Sequence, residues 1–185
     1  MTTRTLLTSV AAVAVTLAAT SAAAQDPPTS VHETDGEYTV LATFTVPGSA
    51  RTARDVLTDY ANIPRFMPNV RSSVVVHRQD RHVRVEQEAK PHFMWFSKEI
   101  YLVLEVDEAA DVIRFRDSGK KSFSRYEGSW TIEAAVNGET RLAYELVARP
   151  AFDVPGFVLR KLLKRDASEM IGRLQGEIAA RARAD

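Results

Sequence analysis

The spacing of apolar residues divides the chain into strand-like and helix-like stretches. Apolar and polar residues alternate from Glu37 to Val46, which predicts a strand. Ser49 is a suitable helix N-cap, and the apolar spacing after it predicts a helix over Ala50 to Tyr60. Asn62 to Met67 is expected to form a second short helical turn that ends at Pro68, since proline cannot continue a helix.

From Val70 onwards the period changes to two, which predicts six more strands. Asn137-Gly138 between the last two is a strong hairpin signal. All successive connections are short, and short connections join antiparallel strands. The six segments are VRSSVVVH, HVRVEQEA, FSKEIYLVLEV, VIRFRD, SFSRYEGSWTIEAAV and TRLAYELVA.

Gly156 to Arg183 is predicted to form one long amphipathic helix. Its apolar stripe consists of Leu159, Leu162, Leu163, Ala167, Met170, Ile171, Leu174 and Ile178. Because one stripe needs one broad surface, the sheet is expected to curl around this helix and to leave a space between them. The predicted fold is therefore α+β: a curved seven-stranded antiparallel sheet wrapped around a long C-terminal helix, with two short helices after the first strand.

The N-terminal segment has the pattern of a secretory signal peptide. Arg4 precedes an apolar run, and Ala22-Ala23-Ala24 is a small-residue cleavage site, so residues 1–24 are expected to be removed after Ala24. Residues 25–36 are polar and proline-containing and are interpreted as a flexible lead-in, which leaves 37–183 as one domain. The expected location is the periplasm or the outside of the cell.

Composition excludes several classes of function. The 24 basic and 24 acidic residues cancel, and removal of Arg4 leaves a formal charge of −1, which gives no electrostatic basis for nucleic-acid binding. The chain contains no cysteine, so disulfides, thiolate metal ligands and cysteine nucleophiles are all excluded. No phosphate loop, dinucleotide fingerprint or Ser-His-Asp pattern is present, and no cofactor or catalytic residue is predicted.

Three segments resemble one superfamily. VLTDYANIPRFMPNVRSSVVV is similar to its Tyr-x(n)-Phe-x-Pro segment, and YEGSWTIEAAVNGETRLAYEL to its Gly-x-Trp strand and the strand that follows. RPAFDVP is similar to its proline-rich approach to the last helix. In this order and spacing they resemble the helix-grip proteins (START, Bet v 1 and polyketide cyclase/dehydrase), and most of all the branch of the coenzyme Q-binding proteins.

The resemblance implies a hydrophobic small molecule or lipid held between the sheet and the C-terminal helix. The preferred interpretation is a carrier that is not an enzyme. An alternative is a cyclase or dehydrase for a polycyclic or polyketide-like substrate; cyclase members of the superfamily are thought to use polar groups inside the cavity. A second alternative is a non-catalytic module that binds a partner protein. The fold alone does not choose among them.

Strand phase indicates which side chains face the interior. Tyr126, Trp130 and Tyr144 fall on the inward face, while Arg125 and Glu127 fall on the outward face. A mostly apolar interior with few polar groups suits an apolar ligand that makes one or two hydrogen bonds. The candidate lining residues are Tyr60, Phe66, Met67, Gln87, Trp95, Tyr126, Trp130, Tyr144, Leu163 and Met170.

The aromatic stretch Phe93 to Phe96 cannot point every side chain inward. Trp95 or Phe96 is therefore expected to be exposed or to lie at the mouth of the cavity, where it would allow transient contact with a membrane. His77 and His82 are expected to pair across a hairpin on the outer face, but two histidines without a third ligand make a poor metal site. His92 is expected to be structural, and no metal is predicted.

Overall fold

The computed structural model describes residues 29–67, 69–93 and 95–184. The predicted signal peptide, residues 25–28 of the lead-in and the expected stop at Pro68 lie outside the described residues. Within them, one long curved antiparallel sheet and one long helix enclose the core, as the hydrophobic periods predict.

The main sheet has eight strands in the order β1-β2-β10-β9-β8-β7-β4-β3. A separate two-stranded hairpin, β5 (His92–Phe93) with β6 (Phe96–Ser97), lies between β4 and β7 along the chain. The strands of the main sheet are β1 (Thr29–Thr34), β2 (Glu37–Pro47), β3 (Val70–Gln79), β4 (His82–Ala89), β7 (Ile100–Glu108), β8 (Val112–Asp117), β9 (Phe123–Val136) and β10 (Glu139–Pro150).

The predicted count of seven strands was wrong by one, because part of the supposed flexible lead-in is a strand. β1 pairs antiparallel with β2, from Thr29 opposite Ala42 to Thr34 opposite Glu37. Asp35 and Gly36 join them with φ angles of 52° and 75°, the left-handed conformation of a tight hairpin turn. An edge strand gains its hydrogen bonds from one neighbour and buries little side-chain area, so its sequence need not show an apolar face.

The helices begin where they were expected, but the first ends early. α1 (Ala50–Leu57) is capped by Ser49, whose hydroxyl accepts a hydrogen bond of 3.1 Å from the Thr52 amide. A 3-10 turn (Tyr60–Asn62) and α2 (Ile63–Phe66) follow instead of a continuous helix. α3 (Gly156–Ala182) spans nearly the whole predicted range.

The core lies between the inner face of the sheet and α3. Ile171 and Ile178 of α3 are fully buried, as are Val40 and Leu142 of the sheet. Leu163 and Met170 are only half-buried although they belong to the same stripe. The interior is therefore tightly filled along one part of α3 and less filled along another. In the described part of the chain, no helix is long and apolar enough to span a membrane.

Candidate functional site

A cavity of about 300 Å³ lies between the sheet and α3. Its walls come from the inner faces of the strands, from the segment between α1 and β3, and from the half-buried side of α3. Most of its lining is aliphatic or aromatic: Val40, Val56, Leu57, Ile63, Ile100, Leu102, Leu104, Val106, Ile113, Leu146, Leu159, Leu162 and Leu174, together with the residues discussed below. A site of this kind binds apolar molecules, since water gains little from filling it.

One end of the cavity, here called the closed end, is held by Arg54, Tyr60, Arg78 and Glu108. The Tyr60 hydroxyl donates to Glu108 Oε1 at 2.9 Å, and Arg78 Nη1 lies 3.1 Å from Glu108 Oε2. Arg54 donates to the backbone carbonyls of Glu108, Ala109 and Ala110 in the turn after β7. Burial and the neighbouring Glu108 raise the pKa of Tyr60, so its hydroxyl stays protonated and remains a donor.

The other end, here called the mouth, is ringed by half-buried or exposed side chains. The β5–β6 hairpin stands beside it and is tied to α3, because Arg165 donates to the His92 carbonyl. The ammonium of Lys98 lies 5.3 Å from the centre of the Phe152 ring. We assign to the mouth the following lining residues, which are half-buried or exposed and lie in the segment after α1, around the β5–β6 hairpin, or along α3 and just before it: Phe66, Met67, Asn69, Pro91, Lys98, Phe152, Leu163, Asp166, Glu169 and Met170.

Aromatic rings form a continuous wall from the middle of the sheet to the mouth. The centre of the Trp130 ring lies 4.4 Å from that of Tyr144, and the centre of Phe123 lies 5.0 Å from that of Tyr126. Phe115 links the two pairs, at 6.5 Å from Tyr144 and 6.1 Å from Tyr126. Such offset and tilted contacts are the arrangements that aromatic rings favour.

Gly128 makes room for this wall. A Cβ atom at this position would lie 2.7 Å from the Phe115 ring and 2.2 Å from the Glu145 carbonyl oxygen. The glycine therefore admits a large neighbouring side chain, a common reason for glycine inside a strand. Arg125 stays on the outer face, where it bonds to Glu37 and Glu127, so the predicted outward phase is confirmed.

Two tyrosines put hydroxyl groups into this wall. Tyr126 on β9 and Tyr144 on β10 both line the cavity, and each ring packs against Phe115. Burial, with Asp117 and Asp166 nearby, raises the pKa of Tyr126 to about 12. Burial also raises the pKa of Tyr144 well above its ordinary value. Both groups are therefore neutral near pH 7. Gln87 is less available, because its amide donates to Ser73 at 3.1 Å.

Asp166 on α3 brings a carboxyl group to the mouth. Arg165 Nη2 lies 3.0 Å from Asp166 Oδ1, and 26% of the aspartate side chain is exposed. Burial raises the pKa of Asp166, while the hydrogen bond and charge of Arg165 oppose this change. The carboxyl group thus protonates more readily than an exposed one.

Nearly all of the predicted lining residues lie together around this cavity. Tyr60, Phe66, Met67, Gln87, Tyr126, Trp130, Tyr144, Leu163 and Met170 line it. Trp95 does not: it sits in the turn between β5 and β6, and 71% of its surface is exposed. A tight hairpin between two-residue strands holds Trp95 away from the lining, which corrects its expected place there. Contact with a ligand remains a prediction for all ten.

Sequence reasoning missed Asp166, which is the acidic group nearest the tyrosines on α3. The sequence could have predicted its position, because residues four apart share one side of a helix, and Leu162, Asp166 and Met170 are spaced in this way. The mutual pairing of His77 and His82 was wrong: the two-residue turn at Asp80 and Arg81 pairs His82 with Gln79, and the same register places His77 opposite Arg84. Among residues 29–67, 69–93 and 95–184, no three His, Asp or Glu side chains cluster as a metal site would require.

A family model matches most of the chain. The family is described as "Polyketide cyclase / dehydrase and lipid transport", and its match covers residues 46–175. This range runs from the end of β2 to the second half of α3, so it includes the short helices and nearly all of the cavity. No match was found among curated protein sequences.

Solved structures with this fold include both lipid-binding and biosynthetic proteins. A START superfamily protein from Mycobacterium smegmatis is 19% identical with a TM-score of 0.67, covering 77% of this chain and 97% of its own. The Zhui aromatase/cyclase from a Streptomyces species is 16% identical (TM-score 0.69; 80% and 97%). A STAR-related lipid transfer protein from Xanthomonas axonopodis is 12% identical (TM-score 0.64; 83% and 99%). At these identities the similarity establishes the fold alone.

Proposed function

Because the chain belongs to the polyketide cyclase/dehydrase and lipid transport family, we propose that it binds and carries a hydrophobic small molecule outside the cytoplasm. The ligand would be a lipid or an isoprenoid-like compound held between the sheet and α3. The observation that supports this is the cavity of about 300 Å³ with its largely apolar lining. The same hollow interior argues against a module that only binds a partner protein, since such a module would have a filled core.

Binding would work by sequestration. Each Å² of apolar ligand surface removed from water contributes about 25 cal/mol, so a molecule of lipid size needs few specific contacts to bind. The lipid transfer protein from Xanthomonas axonopodis has the same fold, which supports transport as the outcome of binding. The resemblance to coenzyme Q-binding proteins adds isoprenoid compounds to the candidates.

The test is native mass spectrometry of the protein purified from its own periplasm. We expect a bound mass of lipid size in the wild type and a changed occupancy in Trp130→Ala, because Trp130 lines the cavity. Phe157→Ala is the matched control, since it removes a large exposed side chain of α3 that lies outside the lining. An empty wild-type protein would contradict the carrier proposal. Unchanged stoichiometry in Trp130→Ala would show that Trp130 is not a ligand contact.

The proposed location rests on the N-terminal sequence. Residues 1–24 have the composition of a cleavable secretory signal, and the cut is expected after Ala24. Cell fractionation followed by intact-mass measurement tests this directly. A periplasmic or secreted form that begins at Gln25 supports the proposal, whereas a cytoplasmic form that retains Met1 contradicts it.

Exchange with a membrane would occur at the mouth. Trp95 is exposed on the hairpin beside it, with Lys98 among the residues of the mouth. An amphipathic aromatic ring at the tip of a short hairpin suits the interface between lipid headgroups and acyl chains. Transient contact there would let a ligand pass between the bilayer and the cavity without crossing water.

A cyclase or dehydrase reaction is the second candidate, and one observation favours it. Tyr126, Tyr144 and Asp166 bring titratable groups into an apolar cavity, the arrangement that acid–base chemistry requires. The aromatase/cyclase with the same fold shows that this architecture can host such an enzyme. If a polyketide-like substrate is turned over, Tyr126→Phe should abolish turnover while binding persists. A wild type that binds such compounds and returns them unchanged contradicts this candidate.

A further inference from the structure

Two tyrosine hydroxyls lie along the aromatic wall of the cavity. The Tyr60 hydroxyl donates its proton to Glu108, and the Gln87 amide donates one of its two N–H bonds to Ser73. Tyr126 and Tyr144 line the cavity from neighbouring strands, and each phenol carries one O–H donor, so the pair can donate a hydrogen bond to a ligand. A ligand oxygen that accepts this hydrogen bond would be fixed against the aromatic wall.

Two acidic side chains, Asp117 and Asp166, lie close enough to Tyr126 to affect its pKa. Asp117 accepts hydrogen bonds from three backbone amides, the nearest being that of Val103 at 2.8 Å. Asp166 and Glu169 line the cavity from α3. Within the described part of the chain, Lys98 is the one cationic side chain in the lining, and its ammonium lies over the Phe152 ring. A negative ligand group near the tyrosines would therefore meet two acidic side chains.

We propose that the cavity selects an uncharged ligand whose carbonyl, ester or hydroxyl oxygen bonds to the Tyr126–Tyr144 pair, and that it rejects the same hydrocarbon as a carboxylate. This inference rests on the proposed binding function and narrows its ligand class. The physical reason is the cost of placing an unpaired charge in an apolar cavity beside other negative groups.

The experiment compares two ligands of equal chain length. N-phenyl-1-naphthylamine, an uncharged fluorescent probe of apolar sites, is bound first and then displaced by decan-1-ol or by decanoate at pH 8. We expect decan-1-ol to displace the probe at a concentration at least about tenfold lower than decanoate does. Equal or better displacement by decanoate overturns the inference.

Variants of two lining residues, each paired with a control outside the lining, test which side chains cause the preference for decan-1-ol over decanoate. Tyr126→Phe should weaken decan-1-ol severalfold and leave decanoate unchanged, while Tyr101→Phe, which removes a hydroxyl bonded to Glu99 away from the lining, should change neither. Asp166→Asn should strengthen decanoate severalfold. Asp153→Asn removes the same charge from an exposed site outside the lining and should not.

The outcomes separate this inference from the proposed function. If neither the probe nor decan-1-ol binds, the carrier proposal fails. If the probe binds and decanoate competes as well as decan-1-ol, the cavity is functional and only the selectivity is wrong. If Tyr126→Phe binds decan-1-ol like the wild type, the tyrosine pair does not fix the ligand. Probe affinity and circular dichroism report whether each variant is folded. If a variant is not folded, the comparison of decan-1-ol with decanoate on the wild-type protein decides the question.

Discussion

At the closed end of the cavity, a buried glutamate joins distant elements of the fold, whereas at the mouth the contacts between elements are made by exposed side chains. Glu108 links Tyr60 of the 3-10 turn to Arg78 of β3, and its side chain is 9% exposed. Arg165 of α3, whose side chain is 38% exposed, bonds to Asp166 beside it and to the His92 carbonyl of the β5–β6 hairpin. Because exposed polar contacts contribute less than buried ones, the mouth can adjust to a ligand more easily than the closed end.

The largest difference between the two ends should appear along α3 itself. Ile178 is fully buried near the closed end, so Ile178→Ala should lower the free energy of unfolding by about 2–5 kcal/mol. Met170 faces the cavity and is half-buried, so Met170→Ala creates little new void and should cost only about 1 kcal/mol. Urea denaturation of both variants measures this contrast. Equal losses would mean that the mouth is packed as firmly as the closed end.

Two glutamates sharpen the comparison. Glu108→Ala would leave the buried Tyr60 hydroxyl without its acceptor, which should cost about 2 kcal/mol. Glu99 near the mouth pairs with Lys90 and Arg71 in solvent, so Glu99→Ala should leave the free energy of unfolding nearly unchanged. Thermal and urea unfolding of the two variants provide the measurement. A loss in Glu99→Ala as large as that in Glu108→Ala would contradict the assigned difference.

Carboxyl groups at the two ends should respond to pH with opposite sign. Burial opposes ionisation of Asp59, but hydrogen bonds from Arg181 and Asn62 lower its pKa overall; the Arg181 bond, 2.7 Å long, ties the segment after α1 to α3. Its stabilising effect is present above the ordinary carboxyl range and is lost as pH falls through the lowered pKa. Burial raises the pKa of Asp166, so its contribution is present at low pH and is lost as pH rises through the raised pKa.

Replacing each aspartate by asparagine tests the predicted direction of its effect on stability as pH changes. Asp59→Asn should lower the free energy of unfolding at pH 7 by up to about 1 kcal/mol, with a smaller difference near pH 3. Asp166→Asn should change the free energy of unfolding more favourably at pH 7 than at pH 3. Denaturation curves at the two pH values, together with NMR titration of the carboxyl carbons, provide the check. If both variants change stability in the same direction with pH, the two ends do not differ in this way.

Hydrophobic periodicity was sufficient for the fold and for most of the cavity wall. The alternation in β4, β7, β9 and β10 predicted which residues face α3. A shift of one residue along such a strand would move its apolar side chains to the solvent face. The failures lie where burial is slight. β1 is an edge strand, His77 takes its partner from the register of the β3–β4 turn, and Trp95 occupies the turn of a short hairpin. Backbone pairing rather than side-chain burial therefore decides their positions.

The sequence predicted only some of the polar residues of the cavity lining, for a different reason. Tyr126 and Tyr144 share the phase of their apolar neighbours, so the pattern includes them. Asp166 lies on the same side of α3 as Leu162 and Met170, but a charged residue among apolar ones is ordinarily assigned to the edge of a stripe. It reaches the lining because the cavity lies against this side of α3, which depends on tertiary packing.

The smallest effect on stability should come from the residue that matters most to the proposed membrane contact. Trp95 is 71% exposed, so Trp95→Ala should change the free energy of unfolding by less than about 0.5 kcal/mol. The chain has two tryptophans, and Trp130→Phe therefore leaves Trp95 as the only fluorophore of its kind. Its emission should shift to shorter wavelength when phosphatidylcholine vesicles are added, because the ring would leave water for the headgroup region. Trp95→Phe, which retains the buried Trp130, is the control and should show no shift. Unchanged emission from Trp95 at saturating vesicle concentration would mean that the mouth takes up its ligand without placing this hairpin in the bilayer.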